Sequence, residues 1–205
     1  MSRCRPPALR NTALLATALS LLGFATLSAP VIAAEAPADV VYATESAKAA
    51  KSLILDVVHA GARLVAVGDR GHIVYSDDQG KTWTQAKVPT RQLLTAVYFV
   101  DDKNGWAVGH DAQILASADG GLTWTKQFED LARESPLLDV WFKDASSGFA
   151  VGAYGTLLET TDGGKHWEDV SDRLDNEDQF HLNAIASIKD AGLFIVGEQG
   201  SICLL

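Results

Sequence analysis

Short apolar runs separated by polar turns repeat along the chain from about residue 53. Each unit has an alternating apolar run, a second run ending in Val-Gly, and a third run before a polar turn; the units begin at Leu53, Leu94, Leu138 and Leu182. Runs of about five residues between polar turns are typical of β-strands, and four strands recurring about every forty residues are typical of a propeller blade. The pattern predicts an all-β protein, a β-propeller of four-stranded blades.

The polar turn after the third run has the same sequence, Ser/Thr-x-Asp-x-Gly-x-x-Trp, in the first three units. Its Ser/Thr and Asp oxygens can accept hydrogen bonds from backbone N–H groups of the turn, and its glycine can take a positive φ. Its Trp is a large apolar anchor for the blade edge. We predict that this box locks a hairpin between the third and fourth strands, with twelve structural residues: Ser76, Asp78, Gly80, Trp83, Ser117, Asp119, Gly121, Trp124, Thr160, Asp162, Gly164 and Trp167.

This box matches the Asp box, or bacterial neuraminidase repeat. The longer pattern Gly-x-x-Gly-x-Ile/Leu-x-x-Ser/Thr-x-Asp-x-Gly-x-x-Trp resembles the photosystem II stability and assembly factor family. Residues 67–83 carry the resemblance best and residues 151–167 come next, whereas unit two has Ala112 where the other two have Gly71 and Gly155. The similarity extends over about residues 53–205.

The resemblance implies a seven-bladed propeller without catalytic activity. Members of this family hold a membrane-protein subunit or precursor while a complex is assembled, and an arginine patch is implicated in partner binding. Arg70 lies in the best-matching stretch and is the arginine of this chain that we assign to such a patch.

The fourth unit reaches Leu205 before its box begins. We therefore expect three full blades and part of a fourth, with boundaries at about residues 52–90, 91–134, 135–179 and 180–205. An open blade edge is unfavourable because it leaves strand hydrogen-bonding groups unpaired. The expected explanation is a truncated copy of a longer propeller, and closure by oligomerisation is the alternative.

Residues 1–34 have the pattern of a secretory signal peptide: a basic start, an apolar stretch over residues 13–27 and a small-residue cleavage point at Ala34. An uncleaved membrane anchor is the alternative. Residues 35–51 are Ala-rich and polar and are expected to form a linker. The mature protein is then expected in the periplasm, which corresponds to the thylakoid lumen side in photosynthetic relatives.

Charge and cysteine content exclude several classes of function. The formal net charge of −9 disfavours binding to nucleic acid or to anionic lipid. Of the two cysteines, Cys4 lies in the predicted signal, so Cys203 is expected to stand alone. No disulfide framework and no cysteine metal site are expected.

No set of residues predicts catalysis, a metal site or a cofactor. The histidines lack ligand spacing, and no nucleophile elbow is present. Asp56 and Asp139 stand at matching places in their first strands, which favours a structural role, and Glu159 could face inward. A sialidase-like or other glycoside hydrolase, or a carbohydrate-binding propeller, remains the alternative, because Asp-box propellers include such proteins.

The turns between the second and third strands differ in chemistry while their flanks repeat. Loops at the ends of propeller blades commonly bind partners. We therefore place candidate partner contacts at Arg70, His72, Gln113 and Tyr154, and expect the partner to be a protein subunit of a membrane complex.

Overall fold

The structure is a computed structural model that describes residues 3–4 and 40–205. Most of the predicted signal peptide and the start of the predicted linker lie outside the described residues. The described strands form four sheets of four strands each. This confirms the predicted all-β propeller blades.

The strands follow the repeat along the chain. Strand β1 is Arg3–Cys4. Blade one has β2 (Ile54–Ala60), β3 (Arg63–Gly68), β4 (Ile73–Ser76) and β5 (Thr84–Gln85). Blade two has β6 (Leu94–Phe99), β7 (Gly105–Gly109), β8 (Ile114–Ser117) and β9 (Thr125–Phe128). Blade three has β10 (Leu137–Phe142), β11 (Gly148–Gly152), β12 (Leu157–Thr160) and β13 (Glu168–Asp169). Blade four has β14 (Leu182–Ile188), β15 (Gly192–Gly197) and β16 (Ile202–Leu204).

All helices in the described part of the chain are three-residue 3-10 turns. Four of them link the second and third strands of the blades, at Asp69–Gly71, His110–Ala112, Ala153–Gly155 and Glu198–Gly200. The others are Ala49–Lys51, Leu131–Arg133 and Ser171–Arg173. Among the described residues, no helix has the length and apolar composition that a bilayer span requires.

Within blades one to three, each strand pairs antiparallel with the next along the chain. The first strands β2, β6, β10 and β14 contact one another in series, so the blades pack face to face around them. Each first strand has a register irregularity near its start, between Ile54 and Asp56 in blade one and between Leu137 and Asp139 in blade three. This arrangement is an open, partial propeller.

A separate apolar core fills each gap between consecutive blades. Blades one and two share the first core, in which Val65 packs with Val97. In the second core, the ring of Trp106 stacks on Phe142 with centroids 3.4 Å apart. Alternating side chains of each strand face opposite neighbours, which is why the period-two pattern of the sequence becomes these interblade cores.

The fourth sheet is completed from the other end of the chain. Strands β14 to β16 are antiparallel, and β1 pairs parallel with β16, with Cys4 opposite Cys203. Strand β1 falls within residues 1–34, the predicted signal peptide. The other three strands of blade four come from the predicted fourth unit. Cys203 is disulfide-bonded, which corrects the expectation that it stands alone.

Residues 40–51, the described part of the predicted linker, lie against blade one. Ala43 N donates a hydrogen bond of 2.9 Å to Val88 O. Ala49 is buried against Ala66 and Val74. Because Ala49 is buried against residues of strands β3 and β4, this segment is part of the packed unit of blade one.

Candidate partner-binding face

Each Asp box is closed by hydrogen bonds within its own turn. In box two, Ser117 Oγ accepts from Gly121 N at 2.9 Å and donates to Asp119 Oδ1 at 2.9 Å. The carboxylate of Asp119 also accepts from the backbone N (3.0 Å) and hydroxyl (2.5 Å) of Thr123. Boxes one and three repeat these contacts, with His166 in the place of the threonine in box three.

The glycine that all three boxes share needs a left-handed backbone: φ is 85° at Gly80, 85° at Gly121 and 86° at Gly164. A side chain at such a position costs about 1 kcal/mol or more. The glycine is therefore required by the turn itself, as the sequence predicts.

Hydrogen bonds to the box carboxylates lower their pKa. The Thr82 hydroxyl lowers the pKa of Asp78 to about 2, and the His166 ring lowers the pKa of Asp162 to about 2. Burial acts to raise the pKa of Asp119, but the hydrogen bonds from Thr123 outweigh it, so the pKa of this carboxyl is also lowered. All three carboxylates are held ionised as acceptors, which suits a structural turn.

The box tryptophans differ in how their indole N–H is used. Trp83 Nε1 donates to Gly80 O at 3.1 Å and Trp124 Nε1 to Gly121 O at 3.0 Å. In box three, Trp167 Nε1 and Gln127 Oε1 are buried without a hydrogen-bond partner among the described residues. Both atoms pack against Gly164, where a Cβ would lie 1.9 Å from Gln127 Oε1 and 3.1 Å from Trp167 Nε1.

Asp56 and Asp139 tie neighbouring blades together. Asp56 Oδ2 accepts from Val97 N at 2.9 Å, and Asp139 Oδ2 accepts from Ile185 N at 2.7 Å. Burial raises the pKa of Asp139; the hydrogen bonds from Ile185 N and Val140 N oppose this rise, and the charge of Asp56 adds to it. Both carboxylates are used as acceptors for backbone N–H groups between first strands.

Glu159, the remaining carboxylate that the sequence singled out, is ion-paired with Arg173 at 2.5 Å. No group of three or more candidate metal ligands occurs among the described residues. The carboxylates considered for glycosidase chemistry are thus each bonded to another group of this chain.

The two ends of the blades carry different features. Because consecutive strands are antiparallel, the turn between second and third strands lies at the opposite end from the Asp box. We name the first end the turn face. On this face we define the turn row as the middle residues of the four 3-10 turns: Arg70, Asp111, Tyr154 and Gln199.

All four turn-row residues have a left-handed backbone, with φ of 57°, 58°, 56° and 54° in chain order. Arg70, Tyr154 and Gln199 are exposed, whereas Asp111 is half-buried. The Arg70 side chain is 78% exposed, and Tyr154 is 62% exposed. Tyr154 also makes an edge-to-face contact with His181, with centroids 5.1 Å apart. Repetition of one turn thus displays four chemically different side chains at one end of the blades.

Two of the predicted contact residues are buried beneath this row. His72 is 4% exposed, and its Nδ1 lies 3.1 Å from Ser52 Oγ. Gln113 is 2% exposed. Both stand between the 3-10 turn and the third strand, immediately before Ile73 and Ile114, where the chain is already buried. Their prediction as surface contacts is corrected, whereas Arg70 and Tyr154 are available to a partner.

The turns also pack on the connections between blades, which brings a second arginine to the turn face. A Cβ on Gly71 would lie 2.2 Å from Thr90 O and 3.2 Å from the Cα of Arg91. Arg91, which donates from Nε to Tyr42 O at 2.9 Å, therefore lies beside the turn of Arg70. Sequence reasoning missed Arg91, because strand periodicity does not show which connection a turn touches.

A cavity of about 680 Å³ lies along strand β9 between blades one and two, from Trp124 at the Asp-box end to Glu129 at the turn-face end. Its walls come from the segment before blade one, the connection between the blades and strand β9. The residues that matter for its chemistry are Val40, Val41, Tyr42, Arg91, Gln113 and Lys126.

Comparisons with known proteins agree with the repeat. A family model described as photosynthesis system II assembly factor YCF48 matches residues 78–136 and 126–204, more than half of the chain. The photosystem II stability/assembly factor HCF136 of Cyanidioschyzon merolae is 36% identical over 84 residues, covering 38% of this chain and 19% of that protein.

Solved structures show the same fold. A structure of YCF48 bound to D1 peptide has a TM-score of 0.56 and 23% identity, over 67% of this chain and 45% of that one. An ancestral GH74 enzyme has a TM-score of 0.51 and 13% identity, over 74% of this chain and 24% of that one. The chain thus spans less than half the length of these proteins. At these identities the structures show fold alone, and membership rests on the family model. By that match, the chain belongs to the photosystem II assembly factor YCF48 family.

Proposed function

We propose that this chain binds a segment of a membrane-protein subunit through the turn face while a membrane complex is assembled, and that it does so without catalysis. The observation that carries the proposal is the turn row. Arg70 and Tyr154 are exposed there at equivalent positions, and Arg91 lies beside Arg70. Arginine and tyrosine are the residue types that most often anchor protein interfaces.

Family membership supports the type of partner. A related YCF48 has been solved bound to D1 peptide. A D1 peptide is therefore the first probe to use with this chain. The carboxylates that a glycosidase would need are bonded to backbone N–H groups or to Arg173, which supports a binding role over hydrolysis.

The proposal includes export of the protein. Its support is the signal-like pattern of residues 1–34 and the description of the relative HCF136 as chloroplastic. Export would place the turn face on the side of the membrane where lumenal or periplasmic segments of a subunit are exposed.

Fluorescence anisotropy with a labelled D1 peptide tests the binding proposal. We expect saturable binding by the chain, and a loss of about ten-fold or more in affinity for Arg70→Ala and for Tyr154→Ala, as for central interface anchors. Lys165→Ala is the matched control, because Lys165 is exposed in an Asp box at the opposite end of the blades. Equal binding by all variants, or stronger loss with Lys165→Ala, would overturn the assignment to the turn face.

A further inference from the structure

The sheet of blade four has one covered face and one open face. Ile195 and Cys203 are buried in the core that this blade shares with blade three. The residues that alternate with them, Val196, Ile202 and Leu204, point to the other side of the sheet and are 39%, 47% and 48% exposed. We name this side the open face; strand pairing places six residues on it, Ala186, Ile188, Phe194, Val196, Ile202 and Leu204.

The repeat shows what such a face contacts in the other blades. The valine before the last glycine of the second strand and the first residue of the third strand have the same place in every blade. In blades one to three these positions are 0% exposed, because the next blade packs on them: Val67, Val108, Val151, Ile73, Ile114 and Leu157. In blade four they are Val196 and Ile202. The open face therefore repeats the interface between blades, without a neighbouring blade among the described residues.

Blade one, at the opposite end of the series, has no matching free face. The side of its sheet that points away from blade two contains Ala66 and Val74, which are buried because Ala49 of the preceding segment packs on them. Ser46 N donates to Gln85 Oε1 at 2.9 Å, which holds this segment against strand β5. The two ends of the partial propeller therefore differ, because blade one is capped by its own chain and blade four is open.

The chemistry of the open face favours a second copy of the same face. All six of its residues are apolar, whereas the chain as a whole has a formal net charge of −9. A two-fold contact places a surface against its own copy, so a cluster of charge there would meet a like charge. An uncharged apolar face avoids this repulsion, and its burial removes apolar area from water. A head-to-tail contact would instead press the open face on the capped side of blade one.

The size of the open face sets the strength of the contact. Its strands have seven, six and three residues, so the face measures about 24 Å by 10 Å at the usual rise and spacing of strands. This area is below the roughly 800 Å² per partner of a standard interface, so we expect a weak contact with a dissociation constant on the order of 10–100 µM.

We propose that the open face of blade four is a dimer interface, in which two copies of this chain pack the same face on each other across a two-fold axis. The contact resembles the packing of two sheets in a sandwich, with apolar side chains of both copies between them. It is independent of the proposed function, because the turn row lies at the ends of the strands and the open face lies on the flat side of a sheet.

Sedimentation velocity of the whole chain tests this interface, at concentrations from about 1 to 300 µM on either side of the expected dissociation constant. We expect a reversible shift from monomer to dimer. Ile202→Lys places a charge in the open face and is expected to weaken the dimer about a hundred-fold or more, because that charge is buried unpaired in the dimer. Val57→Lys is the matched control, since Val57 is 53% exposed on the first strand of blade one, and it is expected to associate like the wild type.

Loss of the dimer in Ile202→Lys, with wild-type association in Val57→Lys, supports the proposal. A wild-type chain that stays monomeric at the highest concentration would overturn it and leave the open face to another occupant, and this result does not depend on the folding of any variant. Loss of association in Val57→Lys, or growth beyond a dimer, would indicate a head-to-tail contact and would also overturn it. Unchanged association of Ile202→Lys would place the contact on another surface.

Discussion

Asp139 of blade three accepts a hydrogen bond from Ile185 N of blade four at 2.7 Å, and Asp56 of blade one accepts the matching bond from Val97 N at 2.9 Å. The corresponding residues of blades two and four are Ala96 and Ala184. The aspartate therefore alternates along the four blades, and it ties blade one to two and blade three to four.

We predict that Asp139→Asn lowers the free energy of unfolding by about 1–3 kcal/mol. Val140 N and Ile185 N donate to different oxygens of the Asp139 carboxylate, and an amide has only one acceptor oxygen. Urea unfolding at neutral pH measures the change. Glu177→Gln is the matched control, since Glu177 is exposed. A loss no larger than that of the control would contradict the role given to Asp139.

The pH dependence of stability gives a second prediction for Asp139. Its pKa in the folded protein is raised, so the folded state binds more protons than the unfolded state between about pH 4 and the folded pKa. The contribution of Asp139 to the free energy of unfolding therefore falls as the pH rises through that window. We expect the wild type to lose more stability there than Asp139→Asn, as measured by urea unfolding at a series of pH values. Parallel curves for the two proteins would refute this.

The Asp boxes predict the opposite dependence in acid. Asp78 and Asp162 have folded pKa values lowered to about 2 from 3.8, so their contribution is complete above about pH 4 and is lost as the pH falls towards 2. Asp78→Asn is expected to flatten the decline in thermal midpoint between these pH values, followed by circular dichroism. Glu177→Gln is again the exposed control and is expected to show the same decline in thermal midpoint with falling pH as the wild type. The same decline in Asp78→Asn would contradict the role given to the Asp78 carboxylate.

Gly71 and Gly200 occupy equivalent positions in blades one and four, and comparing their alanine variants distinguishes the cost of backbone strain from the cost of steric crowding. Gly71 and Gly200 have φ of 72° and 73°, but a Cβ on Gly71 would meet Thr90 O at 2.2 Å, whereas nothing lies within 4 Å of one on Gly200. We expect Gly200→Ala to cost about 1 kcal/mol from backbone strain alone, and Gly71→Ala to cost clearly more. Chemical denaturation compares them, and equal losses would show that the contact with Thr90 is unimportant.

The repeat in the sequence was enough to predict the blades, because strand period, turn glycines and box residues are all local signals. Contacts between segments distant in the chain were not predictable in this way. His72 and Gln113 were expected at the surface, and they are buried because the third strand begins immediately after the turn. Asp56 was recognised as structural, but its acceptor role toward Val97 N depends on how adjacent blades pack.

The candidate site was predictable only where it depends on local sequence. Arg70 and Tyr154 stand in turns whose conformation follows from local sequence, and both are exposed. Arg91 and the cavity before Gln113 depend on the path of the connection and of residues 40–43, for which the repeat contains no signal.

The most direct test of the central claim is a ¹⁵N–¹H NMR titration of the whole chain with a D1 peptide. The account predicts saturable shifts at the turn row, at Arg70, Asp111, Tyr154 and Gln199, with the Asp-box amides of Gly80, Gly121 and Gly164 unchanged. Shifts confined to the Asp-box end of the blades, or no shifts at saturating peptide, would contradict it.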